Sequence, residues 1–240
     1  MGYVEKSKRK GWLLLGFVEM FLCGIGDILF AFRGEGEPKA LSGIVSMDIA
    51  NVPLGYYYAS FFIGIAAMLG YWLGSRAMYS QLYDNMDSKP SKLLKVYAFG
   101  ANMMSLGIFG IHSICTMAVI ALRSAAQSGL SADEIDQHFS VLILPFIIGT
   151  AWQTIADLLV AIAYIAFVLK NQLSVPKPWL ICGPICLYVI FNIVKIILTN
   201  LTDNTLIPKL FSGGETWGLS FMFLAVFFSL KKSAKSTKSS

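Results

Sequence analysis

Long apolar segments separated by short polar ones make up most of the chain. Six of them exceed the roughly 18 residues that a membrane-spanning helix requires. They cover residues 11–32, 53–76, 96–122, 140–169, 178–200 and 208–230. Because runs of this length satisfy their backbone hydrogen bonds in lipid as helices, we predict an all-α polytopic membrane protein. The predicted architecture is a six-helix transmembrane bundle.

The connections between these spans are too short to form a separate soluble domain. We therefore expect a single transmembrane domain over residues 11–230, with a basic cytoplasmic tail at 1–10 and a basic, disordered cytoplasmic tail at 231–240. The first apolar run continues to Phe32 and lacks a small-x-small cleavage site. It is interpreted as a retained helix and not as a signal peptide.

The third span carries four polar residues at helical spacing. Asn102, Ser105, His112 and Thr116 follow one another at intervals of three, seven and four, and Phe109 fills the one apolar step. This spacing places them on one stripe of a helix. Because a polar stripe is costly against lipid, we expect it to face other helices or a wet cavity. His112 is its one titratable member.

Three other spans carry comparable stripes, which suggests that the polar groups converge. The stripes are Glu19, Cys23 and Asp27 in the first span, Thr150, Gln153, Asp157, Ala161 and Tyr164 in the fourth, and Tyr188, Asn192, Lys195 and Thr199 in the fifth. The second span instead offers small residues that favour close helix packing, namely Gly64, Ala67, Gly70 and Gly74. A rise of about 1.5 Å per residue puts most of the polar groups in one layer of the bilayer.

These stripes define the predicted site. The residues expected to carry chemistry are His112, Asp27, Asp157 and Lys195, and those expected to bind a ligand are Asn102, Gln153, Asn192, Trp152, Tyr188 and Glu19. An isolated charge in a bilayer costs roughly 3 kcal/mol, so we expect Lys195 to be the counter-ion of Asp27 or Asp157. That pairing would leave His112 free to exchange a proton. The alternative is a structural cluster that only fixes helix register.

Lys and Arg are distributed unequally between the two ends of the spans. Most lie in the two tails and in the second and fourth connections, including Lys89 and Lys238. By the positive-inside rule, both termini are cytoplasmic, in a bacterial-type plasma membrane. The opposite side is acidic, with Glu35, Glu37, Asp48, Asp133, Glu134, Asp136, Asp203 and Glu215. There, Ser131 and Glu134 have the spacing of a capping box, which predicts a short surface helix.

Composition excludes several classes of protein. The chain is 56% hydrophobic and 14% charged, whereas a soluble domain has roughly 25% charged residues. The net charge of +5 does not indicate nucleic-acid binding, because the basic residues lie in short inter-span segments. The four cysteines lie in apolar runs without paired CxxC spacing, so we interpret them as small packing residues and expect no metal and no cofactor.

Short motifs in and beside four spans suggest a family. They are Gly26–Asp27, His112–Ser113, the Pro-Lys-Pro-Trp run at 176–179 and Trp217–Gly218. In their order the chain resembles an uncharacterised family of small bacterial membrane proteins, and the resemblance extends over most of the chain. It implies a six-helix bundle and supplies no activity.

Three functions remain open from the sequence. The first is a membrane-embedded enzyme that acts on a lipophilic small molecule or lipid by proton transfer through His112. The second is a proton- or cation-coupled small transporter, and the third is a non-catalytic receptor or assembly subunit. The expected partners are the lipid bilayer and a lipophilic ligand, with a homodimer as an option and no nucleic acid.

Overall fold

A computed structural model of the protein describes residues 1–86, 90–202, 204 and 206–236, with the backbone alone for 231–236. In this part of the chain the helices are α1 (Lys6–Phe30), α2 (Leu54–Asp84), α3 (Lys92–Gly110), α4 (Thr116–Gln127), α5 (Ala132–Phe139), α6 (Ile143–Leu169), α7 (Pro184–Leu201), α8 (Leu206–Lys209) and α9 (Gly214–Ser236). A small antiparallel hairpin joins β1 (Lys39–Ala40) to β2 (Val45–Ser46), with Lys39 opposite Ser46.

The long apolar helices confirm the predicted all-α polytopic membrane bundle. Segments long and apolar enough to cross a membrane, among the described residues, are Lys6–Phe30, Leu54–Asp84, Lys92–Gln127, Ala132–Leu169 and Pro184–Leu201. α9 adds a shorter apolar stretch, Gly214–Leu230.

Several helices extend beyond the apolar pattern. α1 begins inside the predicted tail, α2 continues eight residues past position 76, and α9 continues to Ser236. The length of an apolar run matches the thickness of the membrane core. A helix can be longer than this run, because it continues until a cap or a turn ends it. Lys89 and Lys238, predicted on the cytoplasmic side, and Asp203, predicted on the acidic side, lie outside the residues that the structure describes.

The most extensive helix packing is that of α1 against α2 and α9, and that of α3 against α6. A Cβ atom added at Gly16 of α1 would lie 3.1 Å from the Cα of Gly74 in α2, so the two backbones are in contact. This is the close approach that the small residues of the second span predict. α7 is different, because Pro184 is its only buried residue and its main neighbour is α9.

The third span is not a continuous α-helix. A π-helical turn at Ile111–Cys115 separates α3 from α4, and such turns are frequent at functional sites. Ser105, His112 and Thr116 are buried, as the stripe predicts. The prediction for Asn102 is wrong, because it is exposed on the outer surface of α3. Three residues turn a helix by about 300°, so Asn102 lies beyond the edge of the face that contains Ser105.

A small cap covers one end of the bundle. The hairpin and α5 enclose a second apolar cluster that includes Leu41, Val45 and Ile135. The backbone N–H of Leu41 donates to the Asp136 carboxylate, which joins the two parts. We call this end of the molecule the cap end.

The predicted capping box is present at the start of α5. The Ser131 hydroxyl accepts from the Glu134 backbone N–H, and the Glu134 carboxylate accepts from the Ser131 backbone N–H at 2.7 Å. Hydrogen bonds from the backbone and side chain of Ser131 lower the pKa of the Glu134 carboxyl.

Candidate functional site

A polar cavity of about 660 Å³ lies inside the bundle at the cap end. Its wall is contributed by α1, the π-helical turn, α6, α7, the start of α9 and the hairpin. The polar side chains in this wall include Asp27, His112, Thr150, Gln153, Tyr188, Asn192, Lys195, Glu215 and Thr216. Six of the predicted site residues therefore meet around one space, although they come from distant parts of the sequence.

The chemical centre of this wall is His112. Its Nε2 atom lies 3.2 Å from the Asp27 Oδ1 atom and 3.3 Å from the Cys23 Sγ atom. On the other side of the ring, Nδ1 lies 3.2 Å from the Ser60 hydroxyl oxygen. The imidazole is 3% exposed, so these three neighbours fix its position. The Asp27–His112 pair replaces the Asp27–Lys195 pair that the sequence suggested.

A glycine makes room for this histidine. A Cβ atom added at Gly64 of α2 would lie 2.1 Å from the His112 Cβ, far inside van der Waals contact. The absence of a side chain at Gly64 therefore allows the imidazole to reach Ser60 and α1. The sequence pattern predicts close packing at Gly64 but does not show which residue it accommodates.

Asp27 has a second partner on the last helix. The Thr216 hydroxyl donates to the Asp27 Oδ2 atom, so the two carboxylate oxygens have different roles. One oxygen faces His112 and the other is held by α9. This contact connects the first and last membrane helices at the site.

Glu215 is a site residue that sequence reasoning assigned to the acidic surface. Its carboxylate accepts from Gln153 Nε2 at 2.9 Å and lines the cavity. Gln153 also lies in contact with the Met104 sulfur, and its buried Oε1 atom has no hydrogen-bond partner within the part of the chain that the structure describes. The signal that could have identified Glu215 is its position seven residues inside the predicted span 208–230.

The predicted roles of Asp157 and Lys195 as an ion pair are wrong. Asp157 is buried on α6, and among the described residues it is not one of those that line the cavity and its Oδ1 atom has no hydrogen-bond partner. Lys195 lines the cavity, and within that part of the chain it forms no ion pair with Asp27 or Asp157. α7 packs mainly on α9, so its lysine reaches the cavity instead of α6.

Two other predicted ligand-binding residues lie elsewhere. Trp152 is 40% exposed, donates its indole N–H to the Met103 carbonyl and lines a separate apolar groove of about 300 Å³. Glu19 lies against Gly70 of α2 and is not part of the cavity wall. Each is on a helix that contributes to the site, but periodicity identifies a face and not the depth at which a cavity opens.

Basic residues surround the cavity at the cap end. Arg33, Lys39 and Lys195 all line it. Arg33 donates to the Phe30 carbonyl at 3.3 Å, and burial lowers the pKa of its guanidinium. Lys39 pairs with the exposed Glu37 at 3.4 Å. The wall therefore contains three basic side chains beside the carboxyl groups of Asp27 and Glu215.

The cavity adjoins a second opening between the end of α1 and the start of α6, which we call the sideways opening. This space, of about 570 Å³, shares Phe30, Arg33, Ile111 and Thr150 with the polar cavity. It continues along α6 past Ile147, which is 59% exposed. In a membrane-spanning bundle such an apolar surface faces lipid.

The long apolar helices define a polytopic helical membrane protein, and a polar cavity lies within its bundle. The chain belongs to the DUF6796 family, a family of unknown function, whose model matches residues 4–233. This agrees with the resemblance to an uncharacterised family. No curated protein and no solved structure matches the chain.

Proposed function

We propose that this protein is a membrane-embedded enzyme that acts on a lipophilic small molecule by proton transfer. The observation that carries the proposal is the Asp27–His112 pair, at 3.2 Å, in the wall of a polar cavity beside a sideways apolar opening. A histidine held by a carboxylate within reach of a bound molecule is a common acid–base arrangement.

The substrate has an apolar body and a polar head in this proposal. The body lies in the sideways opening along Ile147 and Phe146, and the head lies in the polar cavity. Arg33 and Lys195 stabilise negative charge on the head, because both cations line that space. The bilayer thus supplies the substrate directly, without a path through water.

Two groups are positioned to exchange the proton. The His112 Nε2 atom lies 3.2 Å from the Asp27 carboxylate, and Glu215 is oriented by the amide of Gln153 at 2.9 Å. Both line the same cavity, so one can act on a substrate atom while the other completes the proton balance. Asn192 and Tyr188 lie in the same wall and can orient the polar head.

A proton- or cation-coupled transporter is the second candidate. The polar cavity is at the cap end, while the other end of the bundle is filled by Tyr71, Tyr97, Phe167 and Phe223, which are all fully buried. A carrier fixed in one state of alternating access has this one-sided form. In that case Asp27 and Glu215 bind the coupling cation.

The test uses the full chain reconstituted into vesicles made from a total cellular lipid extract. Wild type, Asp27→Asn and the control Asp48→Asn are compared by mass spectrometry of all lipophilic species over time. Asp48 lies outside the cavity wall and accepts from Asn51, so the control removes a carboxylate from the cap alone.

We expect wild type and the control to convert the same species, and Asp27→Asn to slow this conversion at least ~100-fold, as loss of acid–base catalysis does. An unchanged lipid profile with wild type contradicts the enzyme. A species that moves across the vesicle membrane unmodified, and no longer does so with Asp27→Asn, supports the transporter.

A further inference from the structure

We propose that Cys23, Asp27 and His112 form the protein side of a divalent transition-metal site, with zinc as the preferred ion. One ligand atom from each residue, Sγ, a carboxylate oxygen and a ring nitrogen, lies within 4.8 Å of the others. The proposal goes beyond the proposed function, on which it rests only for the reaction performed at the site.

Two of the three distances between these atoms fit one tetrahedral ion, and the third lies within 4.8 Å. Zinc binds sulfur at about 2.3 Å and nitrogen or oxygen at about 2.0–2.2 Å, so neighbouring ligand atoms lie about 3.3–3.6 Å apart. The Nε2 atom of His112 is 3.3 Å from Cys23 Sγ and 3.2 Å from Asp27 Oδ1. The side chains need only small adjustments to share an ion.

Each oxygen and nitrogen ligand already has an outer partner. Ser60 lies 3.2 Å from His112 Nδ1 and can accept its N–H, which leaves the Nε2 lone pair for a metal. Thr216 donates to Asp27 Oδ2, the oxygen that does not face His112. Metal-binding histidines and carboxylates are usually held by such second hydrogen bonds, which fix the tautomer and the orientation.

Charge balance favours an ion of charge +2 at this position. A thiol that coordinates zinc is deprotonated, so Cys23 and Asp27 together contribute two negative charges. The complex is then neutral, which lowers the cost of burial inside a bilayer. A thiolate with an imidazole suits zinc and not magnesium or calcium, which prefer oxygen ligands.

The arrangement leaves a fourth position open. Asp27 and His112 line the polar cavity, so that position is reached from the side where a substrate head would lie. Three protein ligands with one open position characterise catalytic zinc sites. With an ion bound, His112 acts as a ligand, and Glu215 is the cavity group that remains to exchange a proton.

Cobalt is the probe for this site, because Co²⁺ takes tetrahedral zinc positions and absorbs light. The full chain, purified in detergent and treated with a chelator, is titrated with Co²⁺. We expect saturation at one equivalent, a thiolate-to-cobalt charge-transfer band and intense visible bands, all removed by added Zn²⁺. Cys23→Ser should abolish the charge-transfer band. Cys186→Ser, a change in α7 away from the site, should leave it intact.

Outer-partner variants keep the test decisive if a ligand variant does not fold. Ser60→Ala and Thr216→Val retain all three ligands, and each should weaken metal affinity about 10–100-fold. Absence of saturable Co²⁺ binding, a charge-transfer band that survives Cys23→Ser, or unchanged affinity in both outer-partner variants would overturn the metal site.

Failure of the metal site and failure of the enzyme give different results. If wild type binds no cobalt while Asp27→Asn still stops lipid conversion, the proposed function stands without a metal. If cobalt binds as expected while lipid conversion is absent, the metal site stands and the enzyme does not.

Discussion

The two ends of the bundle differ in how they fill the space between the same helices. At the end away from the cap, aromatic rings occupy it, as in the contact between Tyr71 and Phe223, whose centroids are 5.6 Å apart. At the cap end, polar side chains of α1, α6 and α9 surround a cavity of about 660 Å³. We call these the packed half and the cavity half.

Residues that pack the core and residues of the polar cluster lie in different halves of the bundle. A helix such as α1 contributes Leu13 and Met20 to the packed half and, further along, Cys23 and Asp27 to the cavity half. Rings in close contact stabilise the bundle, whereas polar side chains that line a cavity contribute less packing energy.

The packed half should respond most strongly to loss of volume. Phe223→Ala removes a fully buried ring that lies against Tyr71, Gly16 and Gly74, and we expect about 4 kcal/mol of lost stability. Phe62→Ala, at a ring that is 65% exposed, should change stability by less than ~0.5 kcal/mol. Unfolding in detergent measures both, and equal losses would show that the packed half is not the stabilising one.

Gly64→Ala should be the next most damaging change, and it acts at the boundary of the cavity half. The added Cβ would lie 2.1 Å from the His112 Cβ, so α2 or the histidine must move, at an expected ~3 kcal/mol. Gly55→Ala in the same helix meets nothing within 4 Å and should be neutral or stabilising. If the two variants have the same melting temperature, the space around the His112 imidazole can accommodate an added methyl group.

Sequence patterns predicted the bundle and much of the cavity wall. Apolar length predicts the spans, and the three- and four-residue spacing predicts that Asp27, His112, Gln153 and Asn192 face inward. What a pattern within one helix cannot show is the partner on another helix.

For that reason the sequence analysis predicted a pair between Lys195 and a carboxylate, and it did not predict the contacts of His112 with other helices. The contact between Cys23 and His112 was missed because a cysteine in an apolar run is usually interpreted as a small packing residue. Ser60 was missed because its span is dominated by glycine and aromatic residues. The hairpin of the cap has strands of two residues, too short for an alternating pattern.

Asp157→Asn should change the free energy of unfolding less than Phe223→Ala or Gly64→Ala. An ion pair with Lys195 would make this change costly, but the buried carboxylate has an oxygen without a partner among the described residues. Removing its charge should therefore leave stability within ~1 kcal/mol of wild type or raise it. A loss above ~2 kcal/mol would show that Asp157 has an ionic partner in the membrane.

If the cavity half performs proton chemistry, as we propose, His112→Gln should remove that activity while leaving the fold intact. Melting temperature and lipid conversion are measured on the same preparation of His112→Gln, beside His138→Gln, which changes the only other histidine, on the exposed helix α5. Glutamine retains hydrogen bonding but cannot exchange a proton near neutral pH. We predict a stability loss of about 1 kcal/mol with no remaining conversion for His112→Gln, and wild-type behaviour for His138→Gln. A folded His112→Gln protein that converts the same species at the wild-type rate would contradict a part for His112 in the proposed reaction.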